Sequence, residues 1–266
     1  MRRETVTSAQ NAKFKNLLLL QEKSKARREQ GLFVVEGRRE LQHCLEGGYE
    51  VKTVFVCPEI TGQAGIDISD TRLDRASQIE IPLALYRKAA YRESTEGIIA
   101  EVAYKSLTLE DLQLPENPLV VVLESVEKPG NLGAVLRSAD AAGAHAVLVC
   151  DPLTDLYNPN LIRASIGAVF TVPTVAVSSA RAISWLKERG IKILTAQLQD
   201  SSLYYDTPMQ GGVALVMGTE STGLTQIWRE AADAHIRITM LGRLDSLNVS
   251  VSTAILLYEA VRQRQA

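Results

Sequence analysis

The stretch LVVVLES, Leu119–Ser125, runs five apolar residues together without a polar break. Successive side chains of a strand point to opposite faces, so a strand of this composition must be covered on both sides. That requirement favours helices packed on the two faces of a parallel sheet. The residues that follow agree with it. A helix is expected from about Leu132 to Ala142, then the strand AVLVC (Ala146–Cys150). Further on come a helix near Ala180–Arg189 and the strands KILTAQ (Lys192–Gln197) and GVALVMG (Gly212–Gly218). A short helix near Thr225–Ala232 and the strand HIRITM (His235–Met240) complete the pattern. Strands alternating with helices predict an α/β fold built on a mostly parallel sheet.

The first hundred residues read differently. Residues 7–30 are expected as one helix with Ser8 as N-cap, stopped by Gly31. LFVVEG (Leu32–Gly37), VKTVFVC (Val51–Cys57) and IIAEVAY (Ile98–Tyr104) read as strands, with a helix through about Leu45 before Gly47-Gly48. These make a smaller αβ domain over residues 1–105. The polar, proline-bracketed residues 106–117 read as a linker to a second domain over 118–266. A length of 266 residues suits such a division.

Composition narrows the classes. Net charge is −2, so the whole chain carries no basic field. The first 39 residues, however, hold ten basic against four acidic side chains. They form either a surface for a polyanion or a solvated helix face. Cys44, Cys57 and Cys150 are few and widely spaced, which fits a reducing cytoplasm better than a disulfide framework. No run approaches the roughly 18 apolar residues of a membrane span, and no apolar core follows Met1-Arg2-Arg3 as in a signal peptide. His43, His145 and His235 are scattered, so no metal site is expected.

Three polar loops follow apolar strands, and in open α/β sheets ligands bind at the carboxyl ends of strands. The first lies in ESVEKPGNLGAVLRSADAAG, with Asn131 and, six residues on, Arg137. It also reads as a plain strand-to-helix turn. A Rossmann nucleotide site, with Asp151 on a ribose, is a further alternative. Gly130-x-x-Gly133 is not the dinucleotide fingerprint, however, and no P-loop is present. The second, LVMGTESTGL, carries Glu220, either a functional carboxylate or the cap of the next helix. The third is ITMLGRLDSLNVSVS. Its two-residue alternation imitates a strand, yet we read Asp245–Asn248 as loop. Val249–Gln265 is then a helix, with Asn248 or Ser246 near its N-cap and Val251, Ala254, Ile255 and Tyr258 on one face.

PGNLGAVLRSA, VMGTESTGL and ITMLGRLDSLNVSVSTAI, in that order, resemble the three motifs of the SpoU (TrmH-type) RNA 2′-O-ribose methyltransferases of the SPOUT superfamily. The likeness runs from about Leu119 to the end, with NPNLIRASIGAVF (Asn158–Phe170) similar to the family's segment between motifs. LFVVEGRRELQHCL resembles, more loosely, an L30e-like substrate-binding domain. Lys128-Pro129 and Ile238-Thr239-Met240 depart from the family's usual Asp-Pro and Ile-Pro-Met.

The resemblance implies a deep trefoil knot in the second domain, although true knots are rare. It implies S-adenosylmethionine (AdoMet) as cofactor, a homodimer with the active site near its interface, and RNA, ribosomal RNA above transfer RNA, as substrate. Arg137 would stand nearest the chemistry as base or orienting group, with Asn131, Glu220, Ser246 and Asn248 as the other polar positions. The cofactor would meet Met217, Gly218, Thr219, Ile238, Met240, Leu241, Leu247 and Asn248. Lys13, Lys15, Arg38 and Arg137 would meet RNA. A catalytically silent RNA-binding scaffold with the same fold is the competing class.

Overall fold

The computed structural model describes residues 2–64, 70–91, 96–219, 221–244 and 246–265. The chain divides into two compact units. The first comprises Met1–Lys105 together with Tyr157–Thr171, the second Ser106–Leu156 with Val172–Ala266.

The first unit holds strands β1 (Arg2–Thr5), β2 (Leu32–Glu36), β3 (Val51–Val56), β4 (Ser77–Glu80) and β5 (Ile98–Ala103). They form one sheet in the order β1-β4-β3-β5-β2, with β5 antiparallel to both of its neighbours. The single helix expected over 7–30 is two, Ala12–Glu22 and Ser24–Gln30, and Asn11 rather than Ser8 caps the first. The break at Lys23 has a cause that no local signal carries. Arg27, 2% exposed, sends Nη1 back to the carbonyls of Leu20 (2.7 Å) and Gln21 (3.2 Å). A buried guanidinium thus satisfies carbonyls that the helix end leaves open. Arg27 therefore leaves the basic surface counted above.

Residues 157–171 complete this unit. The Tyr157 ring stacks on Phe33 at 4.2 Å between centroids, and its hydroxyl donates to the Lys105 carbonyl at 2.5 Å. Phe170 lies 5.1 Å from Tyr49. A Cβ on Gly47 would stand 2.4 Å from the Phe170 carbonyl oxygen, so only glycine permits this approach.

The second unit is built on β6 (Leu119–Glu124), β7 (Ala146–Cys150), β8 (Thr174–Val177), β9 (Lys192–Ala196), β10 (Ser202–Leu203), β11 (Val213–Met217) and β12 (Ala234–Arg237). Their order is β10-β12-β9-β11-β6-β7-β8, and every pair is parallel. β6, β7 and β11 are buried throughout, as their unbroken apolar runs require. The helices Pro129–Ala141, Ser179–Glu188, Gln226–Ala231 and Val249–Gln265 follow β6, β8, β11 and β12. Residues 106–117 do not hang free: Leu109 is buried in this unit's core, and Leu107, Leu112 and Leu114 pack against it.

The last helix occupies the span read from the sequence, but a different stripe is buried. Val249, Thr253, Leu256, Leu257 and Ala260 face inward, whereas Val251 (47% exposed) and Tyr258 (52%) face outward. Its C-terminal end is pinned by Arg264. This guanidinium donates to the carbonyls of Asn117 (2.8 Å), Met209 (3.0 Å) and Gly211 (2.6 Å).

Candidate active site

Two adjoining clefts open at the carboxyl ends of the second unit's strands. The larger, 370 Å³, takes Met217, Gly218 and Thr219 from the end of β11, and Ile238, Met240, Ser246 and Leu247 from the chain beyond β12. The smaller, 160 Å³, takes Lys128 and Asn131 from the loop and helix after β6. Gly218, Thr219, Ser221 and Val249 border both. β12 stops at Arg237, so the strand expected to reach Met240 ends early and frees Ile238–Met240 to form a wall.

The loop after β11 is closed on itself. Thr219 N–H donates to the Gly223 carbonyl (3.2 Å) and Gly223 N–H to the Thr219 carbonyl (3.1 Å). Thr219 Oγ1 also accepts from Thr222 N–H at 3.1 Å. A Cβ on Gly218 would lie 2.3 Å from the Gly223 carbonyl carbon, so this turn admits no side chain there. Glu220, in the same loop, lies outside the described residues. Thr225, N-cap of the helix Gln226–Ala231, hands its N–H (2.8 Å) and hydroxyl (2.5 Å) to the buried Glu124 carboxylate, which locks the loop's far end to β6.

The loops after β6 and β12 meet through two asparagines 117 residues apart. Asn248 Nδ2 donates to Asn131 Oδ1 at 3.1 Å. Asn248 Oδ1 in turn accepts from Ser250 N–H at 3.0 Å, capping the last helix. Asn131, Ser246, Leu247 and Asn248 are therefore gathered at the paired clefts. Arg137 is exposed and borders neither. Leu241, expected at the cofactor, is 95% exposed and lines neither. Lys15 and Arg38 are exposed in the first unit, and Lys13 pairs with Glu4.

Gln197 and Arg229 are among the cleft residues that escaped the sequence reading. Gln197 stands just beyond the end of β9 and Arg229 on the helix Gln226–Ala231. Gln197 Oε1 and Arg229 Nε are buried and have no hydrogen-bond partner among the described residues. The rule that pointed to the other loops, strand end next to ligand, covers Gln197 as well. It lacked only a glycine to draw notice.

The larger cleft fits AdoMet. Its apolar walls suit an adenine ring, and its volume lies in the range of small-molecule sites. The orphaned acceptor of Gln197 and donor of Arg229 match a ligand that offers both kinds of group. The Rossmann alternative fails on Asp151, whose carboxylate accepts from Ser179 N–H at 3.2 Å beside the next helix. His145 is structural: Nδ1 accepts from Leu119 N–H at 3.0 Å, and burial holds its pKa below the usual value. No cluster of potential metal ligands occurs among the described residues.

Residues 118–258 match the SpoU rRNA methylase family, and residues 11–100 an MRM3-like substrate-binding domain. The chain belongs to the SpoU rRNA methylase family. Curated relatives include the 23S rRNA (guanosine-2′-O-)-methyltransferases RlmB of Salmonella typhi, 42% identical over 64% of this chain and 72% of that one, and of Bordetella pertussis, 38% identical over 72% and 81%. Among solved structures, an RNA 2′-O ribose methyltransferase superposes with a TM-score of 0.83 at 38% identity, covering 99% of this chain and 100% of that one. An AdoMet-bound rRNA methyltransferase from Sinorhizobium meliloti gives 0.87 at 29% identity, with 98% of each chain covered.

Proposed function

We propose that this SpoU enzyme transfers the methyl group of AdoMet to a ribose 2′-hydroxyl of ribosomal RNA, acting in the cytoplasm as a homodimer. The observation that carries the reading is the convergence of the three motif loops on the paired clefts, joined by the Asn131–Asn248 hydrogen bond. Ribosomal RNA is favoured over transfer RNA by coverage. The rRNA-methylating neighbour from Sinorhizobium meliloti matches both units, whereas a neighbour acting on C/U34 of tRNA covers 61% of this chain, with a TM-score of 0.52.

AdoMet brings a sulfonium-activated methyl group; the protein must supply alignment and charge. Gln197, Arg229 and the walls Met217, Ile238 and Met240 would hold the cofactor in the larger cleft, which Ser246 and Leu247 also line. Asn131 and Asn248 fix the boundary between the clefts, where the ribose enters beside Lys128. Arg137 brings a planar guanidinium with five N–H donors in a fixed fork and no acceptor. Its role is to hold the phosphate beside the target and to stabilise negative charge developing on the 2′-oxygen. Glu220 and Asn131 position it.

Arg137 is exposed in one protomer, which fits a site completed at a dimer interface. The outward stripe Val251–Tyr258, with Leu247 40% exposed, offers an apolar surface for that contact. We further infer a trefoil knot in the second unit. Supporting it, β11 enters between β6 and β9, and the last helix returns to the helix Pro129–Ala141, its end tied to residues 117 and 209–211.

Arg137→Ala is expected to lose methyl transfer to ribosomal RNA by at least about 100-fold, while AdoMet affinity by calorimetry stays near that of the wild type. Near-normal turnover in this variant would overturn the assignment.

A further inference from the structure

A third pocket, 290 Å³, lies wholly within the first unit and belongs to neither cleft. Val34, Pro159 and Ile162 give it apolar walls. At its rim Tyr91, 57% exposed, is covered by Arg163, whose guanidinium carbon lies 4.0 Å from the ring centroid. Asn160 Oδ1 holds that guanidinium at 2.9 Å. Three carboxylates also line the pocket: Glu36, Glu40 and Glu96. Glu36 accepts from Tyr91 N–H at 2.9 Å and so fixes the residue that bears the ring. Glu40 is 6% exposed, with one oxygen 3.1 Å from Arg39 Nη2.

This combination selects its occupant. The carboxylates of Glu36, Glu40 and Glu96 outnumber the guanidiniums of Arg39 and Arg163 on the lining, which disfavours a phosphate there. Apolar walls and a stacked Tyr–Arg platform suit a flat ring. The carboxylates then require N–H donors on that ring's edge. Adenine, cytosine and guanine carry an exocyclic amine; uracil presents two carbonyls beside its single N–H. Arg38 and Arg39, exposed at the start of the helix Arg38–Glu46, can meet the phosphates on either side.

We infer that this pocket takes one unstacked, amino-bearing base of the RNA substrate, stacked at Tyr91–Arg163 and read at its amino edge by Glu40. The inference rests on RNA being the substrate, and adds a place where the first unit reads sequence as well as charge.

Fluorescence anisotropy of the full-length protein with labelled eight-nucleotide oligo(A), oligo(C) and oligo(U) tests it. Oligo(A) and oligo(C) are expected to bind about tenfold more tightly than oligo(U). Glu40→Gln, whose amide offers a donor as well as an acceptor, should bring the three within about twofold of one another while the melting temperature holds. Tyr91→Ala, a surface change that leaves the core untouched, should weaken oligo(A) and oligo(C) by about tenfold. Equal binding of all three oligonucleotides by the wild type, or an unchanged ratio in Glu40→Gln, overturns the pocket. A wild type that binds none of them yet methylates ribosomal RNA overturns the pocket alone; one that does neither overturns the proposed function too.

Discussion

Replacing Gly218 with alanine should weaken cofactor binding far more than the addition of one methyl group implies. The new Cβ would stand 2.3 Å from the Gly223 carbonyl carbon, 2.5 Å from its oxygen and 2.5 Å from Leu224 N. Carbon atoms rest at about 3.5 Å or more, so the far side of the loop must retreat by roughly 1 Å. That side is held by the two Thr219–Gly223 backbone hydrogen bonds, of 3.1 and 3.2 Å. At about 1 kcal/mol each, opening them costs about 2 kcal/mol. The relaxed loop must be drawn back before a ligand can seat beside Thr219. The same 2 kcal/mol therefore raises Kd by about 30-fold, at tenfold per 1.4 kcal/mol. Calorimetry with S-adenosylhomocysteine reads the affinity, and thermal unfolding of the ligand-free variant reads the strain. The melting temperature should fall by about 4–8 °C, with cooperative unfolding retained. A Kd within about threefold of the wild type would refute the claim that this backbone contact shapes the cofactor site.

The other tests separate stability from function. Asn248→Ala removes the cap on Ser250 N–H and should lower the melting temperature by about 2–4 °C, from a loss of about 1 kcal/mol. Asn248→Asp keeps the capping acceptor but loses the amide donor to Asn131, so it should restore stability without restoring methyl transfer. His145 is kept neutral by burial, its pKa held below the usual 6.5. As pH falls through 6.5 the unfolded chain takes up this proton and the folded chain does not, so stability drops until the lowered folded pKa is reached. Unfolding scans from about pH 7.5 downward should show that loss, and His145→Gln should lessen it; identical profiles would sink the reading.

What the sequence made legible was what neighbouring residues determine. The buried runs of β6, β7 and β11 could be nothing but covered strands, and Val249–Gln265 carries its own cap in Asn248. The three loops were found because strand ends and glycines mark them. Contacts that depend on distant chain were not visible. The helix break at Lys23 depends on where Arg27 turns, and the inward face of the last helix depends on what packs against it. The short strands β1, β4 and β8 have too few residues for their periodicity to register. The meeting of Asn131 with Asn248 needs the whole sheet between them. Arg137 shows the opposite limit: the role proposed for it comes from likeness to a family, and the chain leaves it at the surface.

The insertion of Tyr157–Thr171 into the first unit has a consequence for synthesis. When Lys105 has left the ribosome, Phe33 still lacks the two rings, Tyr157 and Phe170, that stack on it. They arrive only after the 66 residues from Ser106 to Thr171 have been added. At about 5–20 residues per second this is a wait of roughly 3–13 s. By then β6 and β7 have already emerged. The N-terminal unit therefore cannot finish folding before part of its neighbour has been made, and the nascent chain carries an open aromatic face through that interval. A chaperone that grips exposed aromatic surface would find its opportunity there, and a pause in translation before Tyr157 would prolong it.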